Sequence, residues 1–317
     1  MIDIFKKVNG ELVRLDAPES DCWINVYPPF NNEDLEKISK ELEIPLDFLT
    51  DSIDLEERSR YEYEDNVKLL VLNTPVLNEE NLLPDNNAMY VTIPIGVILM
   101  EDKILTISPF NNPVIDSFIN KRVKNFDTGN RSRFIIQMLD RNVYYFLHYL
   151  KQINNKRNLF EEELFESSRN KELAQMMNLQ KSLVYFVTTL RANELMMMKV
   201  QRTDFLKIED DGELQDVLRD VIVDNSQALD MSNVYANILN GTLDVFASVI
   251  SNNLNTVMRR LTSVTILLMV PTLVASFYGM NVHLPGEANP YAVYLLFLAS
   301  LLLAFVLGWY FLRKQWF

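Results

Sequence analysis

Cysteine, histidine and glycine are all scarce in this chain, and each shortage removes a class of chemistry. Cys22 is the one cysteine, so no disulfide can form within the chain. His148 and His283 are the two histidines, too few for a Cys/His zinc cluster. Eight glycines in 317 residues include no phosphate-cradling loop and no dinucleotide fingerprint. No nucleophile stands beside a base in a familiar spacing, so an enzyme is not expected. Positive charge is also short. The formal net charge is -13, which excludes nucleic acid as a natural partner and concentrates cations around the soluble part. Proline is confined: it clusters from Pro18 to Pro113 and does not recur before Pro271. The opening Met1-Ile2-Asp3-Ile4-Phe5-Lys6-Lys7 has no apolar core, so no cleaved signal peptide is expected.

Two long uncharged runs crowd into the end of the chain: Leu261 to Tyr278 and Tyr291 to Leu312. A membrane span needs about 20 mostly apolar residues. Two such runs with a short connection predict a transmembrane hairpin. Arg259 and Arg260 precede the first run, Arg313 and Lys314 follow the second, and the connecting loop carries no Lys or Arg. The positive-inside rule then places both termini in the cytoplasm and the loop outside a cell membrane crossed twice. Tyr278, Tyr291, Trp309, Tyr310 and Trp316 sit near span ends, where aromatic rings favour the interface.

The predicted organisation is an α+β cytoplasmic domain over residues 1–120, a helical region over 121–212, and a long stalk helix over 213–278 whose last part, 261–278, is the first span. The loop 279–290, the second span 291–312 and the tail 313–317 follow. In the first region, Trp23 to Tyr27, Val67 to Asn73, Tyr90 to Met100 and Lys103 to Ser108 read as strands rich in branched residues, with a tight turn at Asp102. Asn32 reads as the cap of a helix to Leu42. Beyond Val114 the pattern predicts helices over 137–154, 156–177 and 179–198. The stalk runs for more than 60 residues, roughly 100 Å at 1.5 Å per residue. A helix of that length needs partner helices, and Gly241 is the place it would break.

Counting back from Asn281 in threes and fours brings Ser276, Thr272, Met269, Thr265, Leu261 (or Thr262), Met258 and Asn255 onto one face. The other faces of the span are Leu, Ile, Val and Phe. Polar groups in a bilayer point to protein or water, so the stripe predicts a pore lining. The competing reading is that the hydroxyls bond back to their own helix. One two-span chain cannot enclose a channel, so several copies would meet around an axis. A neutral lining of hydroxyl, amide and carbonyl oxygens suits a cation that keeps its water, as Mg²⁺ does. Met258, Leu261 and Met269 would form apolar constrictions.

Tyr278-Gly279-Met280-Asn281, closing the first of two C-terminal spans, resembles the signature of the CorA family of magnesium transporters. The likeness continues through Leu218-Arg219-Asp220-Val221, Leu243-Asp244-Val245 and Val257 to Thr262. It extends more loosely to Trp23-Ile24-Asn25-Val26, Leu46 to Leu49 and Glu56-Glu57-Arg58. The resemblance implies a funnel-shaped homopentamer that carries Mg²⁺ across the membrane and is held closed by cytoplasmic Mg²⁺ between subunits. It needs no organic cofactor. It implies that Tyr278, Gly279, Met280 and Asn281 form the selectivity filter, with the Asn281 amide oxygen facing the hydrated ion. It matches Asp220 to the regulatory metal site, with Glu79 or Glu80 as candidate partners. The loop departs from the family pattern, since Glu287 is its only acid. Some relatives carrying the tetrapeptide move Zn²⁺, so a Zn²⁺, Co²⁺ or Ni²⁺ transporter, coupled to protons or not, is the alternative. A membrane-anchored scaffold is a third reading, and it predicts no ion flux.

Overall fold

The computed structural model describes residues 1–78, 87–167, 170–280 and 291–314. Its first unit, Met1–Gly241, is built on a seven-stranded sheet. The strands are β1 (Ile2–Val8), β2 (Glu11–Leu15), β3 (Trp23–Val26), β4 (Arg60–Glu64), β5 (Val67–Leu77), β6 (Tyr90–Leu99) and β7 (Ile104–Ile107). Their order is β2-β1-β3-β7-β6-β5-β4. Neighbours are antiparallel except β3 and β7, which run parallel.

The pleat sorts side chains between two cores. Leu70, Leu72, Ile95, Val97 and Ile104 face one side with Trp23, under α3 (Pro113–Ile119), α4 (Arg131–Ser167), α5 (Asn170–Arg202) and the start of α6 (Gly212–Tyr278). Leu69, Val71, Ile98, Leu105 and Ile107 face the other side. There they pack on α1 (Asn32–Leu42) and α2 (Leu46–Asp51) through Leu35, Ile38, Phe48 and Leu49. On the first face, Phe5, Phe118, Phe126 and Phe134 ring Trp23 at centroid separations of 5.2 to 6.2 Å. The Trp23 indole N–H donates to Thr106 Oγ1 at 2.8 Å, so its one polar atom is satisfied in the core.

The strand and helix limits differ from the sequence expectation at identifiable places. β1, β2 and β4 were not expected; all three carry charges along much of their length, and β2 and β4 are the sheet's edges. β5 continues past Asn73 through Pro75, whereas β6 runs through Pro94 as expected. Both prolines lie where their strand has a neighbour on one side only, so the missing N–H breaks no second ladder. The cap of α1 is Asn31 rather than Asn32: Asn31 Oδ1 accepts from Asp34 N and the Asp34 carboxylate accepts from Asn31 N, each at 2.9 Å. The three helices expected between 137 and 198 are two, α4 and α5, because no Pro or Gly interrupts either one.

α6 is continuous, with no break at Gly241. Within the first unit it runs antiparallel to α5: Asn225 Nδ2 donates to Leu190 O at 3.0 Å, and Gln180 Nε2 to Asn240 Oδ1 at 2.5 Å. The second unit, Thr242–Phe317, holds the rest of α6 and α7 (Ala292–Arg313). Both helices are long and apolar enough to cross a membrane.

Candidate functional site

The second unit has two kinds of surface. Ser263 is buried and Ile266, Leu267, Val270, Val274 and Tyr278 are half-buried, all on one side of α6. On α7 the less exposed residues are Leu296, Ser300, Ala304, Leu307, Gly308 and Phe311, again at helical spacing. A Cβ added at Gly308 would meet both Leu267 methyls at 3.7 Å. Ser300, Ala304 and Gly308 form a small residue every fourth position, the device that lets helices approach closely where no hydrophobic effect drives them together. This seam was not anticipated from the sequence; that four-residue repeat was the signal for it. The Ser263 hydroxyl finds no hydrogen-bond partner among the described residues.

Asn255, Met258, Leu261, Thr265, Met269, Thr272 and Ser276 are all exposed. At about 100° per residue, the stripe from Met258 to Ser276 centres roughly opposite the side that meets α7. The hairpin therefore leaves this stripe uncovered. Thr265 Oγ1 donates to Leu261 O and Thr272 Oγ1 to Leu268 O, both at 2.8 Å. The back-bonded reading of the hydroxyls thus holds for these two threonines. It does not exhaust them: each oxygen has given its proton to the helix and keeps lone pairs that accept from water.

At the end of α6, Gly279 N–H donates to Ala275 O at 3.0 Å and to Ser276 O at 3.3 Å, and Met280 N–H to Phe277 O at 3.3 Å. Gly279 is not in the left-handed region. A Cβ there would make only ordinary contacts, at 3.4 Å and beyond. The local backbone therefore does not demand glycine, and Met280 is exposed beside it. Asn281, Glu79 and Glu80 lie outside the described residues.

Asp220 is exposed on α6, with Asp216 and Asp224 one turn to either side; Asp216 is paired to Arg219 at 3.1 Å. No group of three or more His, Cys, Asp or Glu side chains that could hold a metal occurs among the described residues. Asp220 thus fits a divalent ion only as part of a ligand set completed from elsewhere. Asp140 on α4 has its carboxyl pushed up, first by desolvation and further by the Asp224 carboxylate, against the pull of Arg141.

A sheet-and-helix soluble part, a long helix whose C-terminal part is apolar enough to cross a membrane, and a second such helix are the parts of a membrane protein with two candidate spans. Residues 19–314 match the family described as CorA-like Mg²⁺ transporter protein. The chain belongs to that family. It is 25% identical over 297 residues to the cobalt/magnesium transport protein CorA of Methanocaldococcus jannaschii, covering 93% of this chain and 90% of that one. It is 24% identical over 302 residues to the cobalt/magnesium transport protein CorA of Thermotoga maritima, covering 93% and 83%. The complete structure of the CorA magnesium transporter from Methanocaldococcus jannaschii superposes with a TM-score of 0.83 at 24% identity, covering 100% of this chain and 99% of that one. The α+β soluble domain, long helix and C-terminal apolar helix are therefore the fold of a full-length CorA.

Proposed function

We propose that this chain conducts hydrated Mg²⁺, with Co²⁺ as a second cargo, through a membrane pore formed by five copies. The observation that carries the reading is the uncovered stripe from Met258 to Ser276, set opposite the α7 seam in a member of the CorA-like family. Five such stripes around an axis would supply hydroxyl, amide and thioether groups to an ion that keeps its first water shell. Asn281 would present its amide oxygen at the outer mouth, flanked by Tyr278, Gly279 and Met280. The spare volume at Gly279, unneeded by its own backbone, is room for the ion or a neighbouring copy.

The flanking arginines and lysine favour cytoplasmic termini. Regulation by cytoplasmic Mg²⁺ would use Asp220 with a carboxylate of another copy, Glu80 being the candidate. An ion held there would offset the repulsion of facing carboxylates and so favour one arrangement of the subunits.

The test is flux into liposomes containing the purified full chain. Mg²⁺ should enter and Asn281→Ala should abolish entry. Normal Mg²⁺ flux through Asn281→Ala would remove Asn281 from the filter. Zn²⁺ entry that outcompetes Mg²⁺, or flux set by the pH gradient, would replace the Mg²⁺ channel with a zinc or coupled transporter.

A further inference from the structure

The first unit contains a cavity of about 550 Å³ that the transport reading does not use. Three cations from separate elements line it: Lys68 on β5, Arg131 at the start of α4, and Lys207 between α5 and α6. In a chain of net charge -13, none of the three makes an ion pair with a carboxylate among the described residues. Lys68 Nζ donates to the Phe205 carbonyl and lies 4.6 Å from the centroid of the Phe205 ring. Arg131 Nη1 donates to Met100 O at 3.1 Å. Those bonds are to neutral groups and hold the cations in place without neutralising them. Glu101 is the one carboxylate on the lining, and Asp204 is close enough to act on Lys68.

The electrostatics agree with the geometry. The Lys68 ammonium is pushed down, first by burial and then by Lys207, with Arg131 adding to the effect and Asp204 opposing it. Like charges gathered in a partly desolvated cavity destabilise one another, and a bound anion reverses the sign of that interaction. A group that meets a guanidinium and two ammonium ions from three directions needs several acceptor oxygens, which phosphate has and a carboxylate does not. The volume falls within the range of small-molecule sites and exceeds what inorganic phosphate fills. Phe205 and the exposed Tyr63 add apolar wall for the rest of such a molecule.

We propose that this cavity binds a soluble phosphorylated small molecule, its phosphate oxygens held by Lys68, Arg131 and Lys207. A charge-assisted hydrogen bond contributes enough that losing one weakens binding by about 10-fold or more.

The test is calorimetric titration of the full chain in phosphatidylcholine nanodiscs, with inorganic phosphate and with ADP, at fixed ionic strength. ADP should bind and phosphate should compete with it. Lys207→Gln and Lys68→Met should each weaken ADP by about 10-fold or more. Lys207→Glu should abolish binding, and Glu101→Gln should tighten it. Lys207 and Glu101 are exposed, so those variants test the idea even where Lys68→Met lowers stability. Equal ADP affinity in wild type and all variants would overturn the proposal, as would no binding of either probe. A heat signal seen only when phosphatidylglycerol is added to the nanodiscs would also overturn it, assigning the cations to a lipid headgroup instead. Ion flux through Asn281→Ala bears on the pore alone, so the two readings fail independently.

Discussion

Gly96 is the position where this fold tolerates one residue. It lies on β6 in the face that packs on α2. A Cβ placed there would sit 1.9 Å from Ser52 Oγ, 2.3 Å from Ser52 Cβ and 3.1 Å from Ile107 Cγ2. Ordinary carbon contacts lie at about 3.5–4.0 Å, so helix and strand would have to part by roughly 1.5 Å. Ser52 is fully buried and its hydroxyl donates to Phe48 O at 2.5 Å. It therefore cannot swing into solvent. Overpacking typically costs about 1–3 kcal/mol. Here the displaced helix also carries Phe48 and Leu49, both buried, so Gly96→Ala should cost about 3 kcal/mol or more. Ser52→Gly removes both offending atoms. It should cost about 1 kcal/mol alone, from the lost hydroxyl bond and a more flexible chain. The double variant should then be more stable than Gly96→Ala by itself, a coupling that distant sites do not show. Thermal unfolding of the detergent-solubilised chain reads all four proteins. Wild-type stability in Gly96→Ala, or no rescue by Ser52→Gly, would refute the steric argument.

Other expectations follow from single groups. The Tyr90 phenol is buried and pushed up to about 12 by desolvation and, to a lesser degree, by Tyr149. Unfolded Tyr ionises near 10, so the stability from Tyr90 is whole below pH 10 and should fall by about 2–3 kcal/mol towards pH 12. Stability measured over that window in wild type and Tyr90→Phe should converge; a constant difference would contradict this. Cys22 is fully buried and its thiol is pushed up, chiefly by burial, so a maleimide should label it only on unfolding, and prompt labelling of the native chain would disprove its shielding. Gly308→Leu should separate α6 from α7, because the added side chain meets Leu267, 3.7 Å from the first new atom. Reduced thermal stability of the membrane-embedded chain would register it, whereas Ala299→Leu on the exposed face of α7 should be neutral.

Much of this fold is legible from residue patterns, and the omissions have physical causes. β5, β6 and β7 announce themselves through branched apolar residues, and Pro75 misleads only about the length of β5. β1 and β4 exist because partners hold them: Lys6-Lys7 and Arg60-Tyr61-Glu62-Tyr63-Glu64 carry no continuous apolar alternation. The length of α6 is readable because proline is absent until Pro271, within its apolar part, and the stripe is readable because threes and fours are local. The seam at Ser300, Ala304 and Gly308 is equally local, but small residues carry little weight in a hydropathy pattern. The cavity of Lys68, Arg131 and Lys207 could not be read at all, since its residues are brought together only by the sheet and the helices on it. Asn281 and Glu80, carried over by resemblance, rest on that resemblance still.

The central claim is that one face of α6 lines a water-filled path. The shielded Cys22 leaves the native chain a silent background for single cysteines placed along the span. The account predicts that Thr265→Cys, Met269→Cys and Thr272→Cys, reconstituted in liposomes, lose Mg²⁺ flux on exposure to a charged, membrane-impermeant thiol reagent, while Ile266→Cys and Val270→Cys on the α7 side keep it. Equal inhibition at both sets, or none at the stripe, would contradict it.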